Sequence, residues 1–219
     1  SGGVHARTVL VAGHDLKFAQ AIMAELENQG HTVLVDQWDG HAQHDEERSR
    51  KLLAEADMIF CEWTLGNAVW YAENVEPHQR LVTRLHSQEL FTPYLKMLKH
   101  ERVDRIMVVG RHIADIAVRD HGIPRSKLVL IPNSVEVPLV IQPKDYSARF
   151  RLGMVGIVPA QKHLDRALDL LSMLRADDGR YTLSIKGKKP EDYSWMARRP
   201  EEMSYYEEQY ERLRSDPNL

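Results

Sequence analysis

Six short polar clusters in this 219-residue chain hold the side chains that bind hydroxyls, protons and anions. They are Gly13-His14-Asp15, Glu62-Trp63-Thr64, His86-Ser87-Gln88-Glu89, Pro132-Asn133-Ser134, the run from Gly156 to Lys162, and Gly187 to Pro190. Histidine and carboxylate can hold a proton, serine and asparagine can hydrogen-bond, tryptophan can cover a ring, and lysine can meet an anion. Each cluster directly follows an apolar run. Open parallel sheets bind ligands beyond the carboxyl ends of their strands, so this placement implies a site. His41 and His44 with Asp45 have a spacing that could suit a metal, but no second ligand cluster accompanies them. A solvated loop is expected there, and no metal.

The elements that would position these clusters alternate between short apolar runs and amphipathic stretches, the signature of βαβ units on a parallel sheet. Strands are expected at Thr8 to Ala12, Thr32 to Val35, Met58 to Cys61, Leu81 to Leu85, Arg105 to Val109 and Lys127 to Ile131. Helices are expected between them: one carrying Phe18, Ile22 and Leu26, one from Arg48 to Ala56, and one with Leu65, Val69 and Ala72. A further stripe is Leu90, Tyr94 and Leu98, and a last helix runs from His112 to Asp120. That is one doubly wound, Rossmann-like α/β domain over residues 1–140. Residues 141–150, in a proline-containing stretch from Pro138, read as a linker. The pattern then restarts over 151–219: a strand from Arg151 to Gly156, a helix through Leu164, Leu168 and Leu171, a strand from Tyr181 to Ile185, and a helix from Glu201 to Arg214. Two strands cannot bury both sheet faces as a complete α/β domain does, so this second domain is expected to be partial and the chain truncated.

Composition narrows the class. A net charge of -3 gives no concentrated basic face, so no nucleic acid is expected. One cysteine, Cys61, cannot form an internal disulfide, which suits the cytoplasm; in its apolar strand it reads as an inert core thiol. No run approaches the roughly 20 apolar residues of a membrane span, although peripheral membrane contact is left open. The opening Ser1-Gly2-Gly3 reads as an expression remnant. Lys186, Lys188, Lys189, Arg198 and Arg199 form a local basic region, and Trp195, Tyr205, Tyr206 and Tyr210 read as packing of the second domain.

The ordered clusters resemble those of family-4 retaining glycosyltransferases. Arg84-Leu85-His86-Ser87-Gln88-Glu89 looks like that family's strand-end histidine motif. Lys127 to Val135, ending Ile131-Pro132-Asn133-Ser134-Val135, is similar to its exit from the first domain. Leu152 to Lys162 resembles the opening of its second domain, and Leu183 to Gly187 the strand after that. The set spans nearly the whole chain in the family's order.

The resemblance implies a GT-B architecture: two Rossmann-like domains around a cleft, with the nucleotide-sugar held mainly by the second and the acceptor by the first. His86 and Lys162 are the implied catalytic pair. Lys162 would touch the donor diphosphate, and His86 would orient a sugar hydroxyl. Gly13, Gly156 and Gly187 join Lys162 as donor-binding positions. His14, Glu62, Trp63, Ser87, Glu89 and Asn133 are candidates for acceptor or sugar contact. A fixed ammonium and helix N-terminal amides could stabilise the leaving diphosphate without metal or other cofactor. The expected reaction moves a sugar from a nucleotide-diphosphate donor to a glycan, polysaccharide or lipid-linked acceptor with retention. Two departures matter. Ile157 stands where the family usually has arginine, and its paired-glutamate motif has no counterpart before Leu219. A piece of this extent is expected to be inactive or weak. The rivals are a sugar-nucleotide epimerase or hydrolase of the same fold, and a non-catalytic binding or assembly module.

Overall fold

The computed structural model describes residues 5–135, 137, 140–217 and 219. Ser1-Gly2-Gly3 and Pro138 lie outside the described residues. Contacts divide the chain into two compact units, residues 1–137 and 138–219.

In the first unit the chain runs β1 (Thr8–Gly13), α1 (Gln20–Asn28), β2 (Thr32–Gln37), α2 (Glu46–Glu55), β3 (Met58–Glu62), α3 (Gly66–Asn74) and β4 (Arg80–Leu85). A short α4 (Tyr94–Met97), β5 (Arg105–Val108), α5 (Arg111–His121) and β6 (Leu128–Leu130) complete it. All six strands are parallel, in the order β2-β1-β3-β4-β5-β6. The order reverses at β1, so the topological switch point, where doubly wound folds bind ligands, lies between the tips of β1 and β3.

Period-two alternation along the strands separates two apolar layers. Leu10, Ala12, Ile59, Cys61, Leu81, Leu85, Ile106 and Val108 face α2, α3 and α5. Val9, Val11, Phe60 and Met58 face Ile22, Met23 and Leu26 of α1 and Ala19 just before it. Helices on both faces make this a doubly wound, Rossmann-like sheet. Leu10, Ile59, Leu81 and Ile106 have no exposure, and burying each such side chain is worth about 1.5–3 kcal/mol.

Two local expectations change. Phe18 does not join the half-buried apolar stripe of α1. It sits in a 3-10 turn, Lys17–Ala19, ahead of the helix and is 39% exposed. The stripe Leu90, Tyr94, Leu98 is not one helix either. Gln88–Phe91 is a 3-10 turn, Thr92 is extended, and α4 begins only after Pro93. Proline disfavours helical backbone in the residue before it, which breaks the run there.

The second unit contains β7 (Arg151–Val155), α6 (Leu164–Asp177), β8 (Thr182–Lys186) and α7 (Pro200–Ser215), with β7 and β8 parallel. Within the stretch read as linker, Tyr146–Phe150 is a 3-10 turn capped by Asp145. Phe150 is buried there, with the Tyr181 ring 5.3 Å away and Arg180 3.9 Å over its face. The core joins Ile157, Val158, Leu164, Leu168, Met196 and Tyr206. No helix among the described residues is long and apolar enough to cross a membrane.

Candidate functional site

Parallel register sets up the centre of the site. Glu62, the last residue of β3, pairs with Arg84 on β4, so the two side chains stand side by side on the α1 face. His86 follows Arg84 by two and returns to that face. Arg84 Nε lies 3.1 Å from both oxygens of Glu62, and its Nη2 also bonds Glu62 Oε2. That Nη2 further donates to the carbonyl of Phe18 at 2.7 Å. His86 Nε2 lies 2.7 Å from Glu62 Oε1. A carboxylate paired with a guanidinium only accepts, so Nε2 carries the proton; in the neutral ring Nδ1 is left as an acceptor. Glu62 is 0% and His86 6% exposed. An ion pair so deep is specified by its geometry, because removing either partner strands a charge.

Around this triad the strand tips converge. Trp63 adopts φ 66°, a costly region for a bulky residue, and is held by its Nε1 donating to the Asp15 carbonyl at 3.0 Å. Its ring lies 4.1 Å from that of His86 and 6.1 Å from that of His14. The Phe18 ring lies 5.3 Å from that of His86 and 6.0 Å from that of Trp63. His14 contacts His41 edge-on at 4.8 Å, and burial lowers its pKa. Across the switch point Asn67 Nδ2 donates to the carbonyls of Ala12 and Glu62, at 3.0 and 2.9 Å.

The remaining first-unit candidates take different positions. A Cβ on Gly13 would come within 2.6 Å of the Glu62 carbonyl, so glycine there lets β1 and β3 meet. Glu89 is fully buried, and its Oε1 accepts the backbone amides of Thr64 and His86 at 3.0 and 3.1 Å. Burial raises its pKa, and Oε2 has no hydrogen-bond partner among the described residues. Glu62 and Glu89 therefore sit behind His86 as supports rather than on the surface as ligand contacts. Ser87 is exposed at the start of the following turn. Asn133 is exposed and lines a cavity of about 670 Å³ with Lys17, Phe18 and Arg84. His41 and His44 serve different clusters: His41 meets His14, while His44 stacks on Trp38.

In the second unit, Gly156 and Gly187 lie back to back at the ends of β7 and β8. Both have positive φ, and a Cβ on Gly187 would meet the Gly156 Cα at 3.0 Å. Lys162 is exposed just before α6. The start of α6 is already occupied. The Asp165 amide donates to the Tyr205 hydroxyl at 3.0 Å, and that hydroxyl donates to Asp165 Oδ1 at 2.7 Å. Ile157, at the family's arginine position, is buried in the core, and its carbonyl accepts from Tyr206 at 2.7 Å. Sequence reasoning did not single out Arg84, Asn67 or Phe18 as site residues. For Arg84 the signal was available: a charged residue inside an apolar strand, on the same face as His86.

Residues 44–138 match the family model for Glycosyltransferase Family 4. No curated protein matches the chain. Among solved structures, a crystal structure of the glycotransferase of kitacinnamycin is similar at 10% identity and a TM-score of 0.47, covering 87% of this chain and 68% of that one. So distant a likeness adds no argument. That family match covers 95 of the 219 residues, nearly all in the first unit, and makes this part of the chain family-4-like.

Proposed function

We propose that the chain takes part in moving a sugar from a nucleotide-diphosphate donor to a glycan, polysaccharide or lipid-linked acceptor in the cytoplasm, with retention of configuration. The observation that carries this reading is the Arg84–Glu62–His86 triad at the switch point. It fixes one histidine with a defined proton on Nε2 and a lone pair on Nδ1, which suits orientation of a sugar hydroxyl. Lys162, exposed beside α6, supplies the charge for the leaving diphosphate. His86 belongs to the first unit and Lys162 to the second.

Titration of the 219-residue chain with nucleoside diphosphates tests it. Lys162→Ala is expected to weaken that binding by ~1.5–3 kcal/mol, the range for a charge-assisted hydrogen bond. Unchanged affinity in a folded variant removes Lys162 from the site. The second reading, a binding or assembly module, draws on the second unit: Ile157 has gone to the core, and Asp165 with Tyr205 occupies the start of α6. Absence of any nucleotide response in the wild-type chain selects that reading.

A further inference from the structure

On the opposite face of the first-unit sheet a second buried carboxylate organises a different cluster. Asp36, in β2, is 1% exposed, and its Oδ2 accepts from Trp38 Nε1 at 2.8 Å, Tyr71 hydroxyl at 2.7 Å and Ser49 hydroxyl at 2.6 Å. His44 Nδ1 lies 2.6 Å from that same Ser49 oxygen. The serine's single hydrogen is committed to Asp36, so towards His44 the hydroxyl can only accept. The proton therefore sits on Nδ1, and Nε2 of the neutral ring carries a lone pair. Burial lowers the His44 pKa, which keeps the ring neutral near neutral pH.

The His44 ring lies flat on Trp38, with centroids 3.6 Å apart and planes 7° apart, and Trp70 stands nearly perpendicular to it at 5.0 Å. These rings line a cavity of about 200 Å³ that Tyr94 and Glu73 also line. The loop from His41 to His44 contributes to both this cavity and the crevice. His41 touches His14 at the strand tips and lies 6.4 Å from Tyr94.

We propose that this cavity is a saccharide subsite, holding one neutral hexopyranose unit of the acceptor next to the unit being glycosylated. The proposal rests on the transferase reading above. Its chemistry is specific: aromatic walls suit the C–H faces of a sugar ring, and His44 Nε2 and the Glu73 carboxylate offer acceptors to its hydroxyls. The size fits a single ring, being below the ~300–1,000 Å³ of pockets for drug-sized ligands. The cations at its edge are engaged, with Lys99 on Glu73 and Arg50 on Glu46. A neutral rather than an anionic ring is therefore favoured.

The four tryptophans provide the readout. In the indole-labelled 219-residue chain, methyl hexopyranosides and neutral disaccharides at millimolar concentration are expected to shift the Trp38 and Trp70 signals, leaving Trp195 of the second unit unmoved. Glu73→Ala, at the exposed rim, is expected to weaken the response about fivefold, the loss of one net hydrogen bond. His44→Phe, which keeps a ring on Trp38, is expected to weaken it at least as much. No Trp38 or Trp70 shift with any of these sugars overturns the proposal, as does an equal response in the folded Glu73→Ala and His44→Phe chains. Nucleoside diphosphate is titrated separately. A nucleotide response with a silent cavity rejects the subsite alone, and a sugar response without nucleotide binding rejects the transferase reading while the sugar site stands.

Discussion

His86 and His44 are both oriented from behind by a buried strand-tip carboxylate, on opposite faces of one sheet, yet the two carboxylates are satisfied differently. Glu62 is paired with a full positive charge on Arg84 and touches its histidine directly. Asp36 is surrounded by three neutral donors and reaches its histidine through Ser49. The ionic arrangement concentrates its strength in one partner, whereas the neutral one spreads it over several bonds. The first should fail abruptly when broken, and the second by increments.

The largest expected effect tests that contrast. Arg84→Leu leaves Glu62 charged in a dry site and is expected to cost about 3–5 kcal/mol in urea unfolding. A cost near 1 kcal/mol would mean that the pair is hydrated. Tyr71→Phe removes one of three donors to Asp36 and is expected to cost about 1.5–3 kcal/mol, the value for a hydrogen bond to a charged group. A loss equal to that of Arg84→Leu would erase the distinction between the two networks. The Tyr71 phenol titrates far above its ordinary range, through burial and then its bond to Asp36, so this result should not vary across neutral pH.

The smallest effect concerns Glu89, which supports His86 through backbone amides alone. Its pKa is raised by burial, so its contribution to stability is fully present below the ordinary carboxyl pKa and declines as pH rises through the folded value. Glu89→Gln does not titrate. Relative to the variant, wild type should therefore lose stability as pH increases from acid towards neutral, measured as the difference in unfolding midpoints. An opposite slope would show that the two amide bonds outweigh desolvation.

Much of the frame was legible from residue order. The strands were readable because their apolar runs are short and the turns between them are polar. Pro93 was visible too, but an i, i+4 stripe of Leu90, Tyr94 and Leu98 outweighed it. The side chains at the centre of the site were harder to find. Glu62 meets Arg84 across 22 positions and Asp36 meets Tyr71 across 35, separations that local periodicity does not register. Glu89 shows the same limit from another side. A glutamate three residues after a strand-end histidine can equally face a ligand or hold the backbone, and the choice depends on which amides lie above it. Ile157 was legible as a departure from the family pattern, but its role in packing the second unit depends on Tyr206, 49 residues away.

Asn67 has a consequence for how this protein can change its ligand. By tying the carbonyls of Ala12 and Glu62 together, it stitches the seam between two strands at the place where a doubly wound sheet would otherwise be free to gape. The floor of the crevice is thereby a fixed datum. Adaptation to a differently shaped partner falls to exposed rim positions such as Ser87 and Gln88.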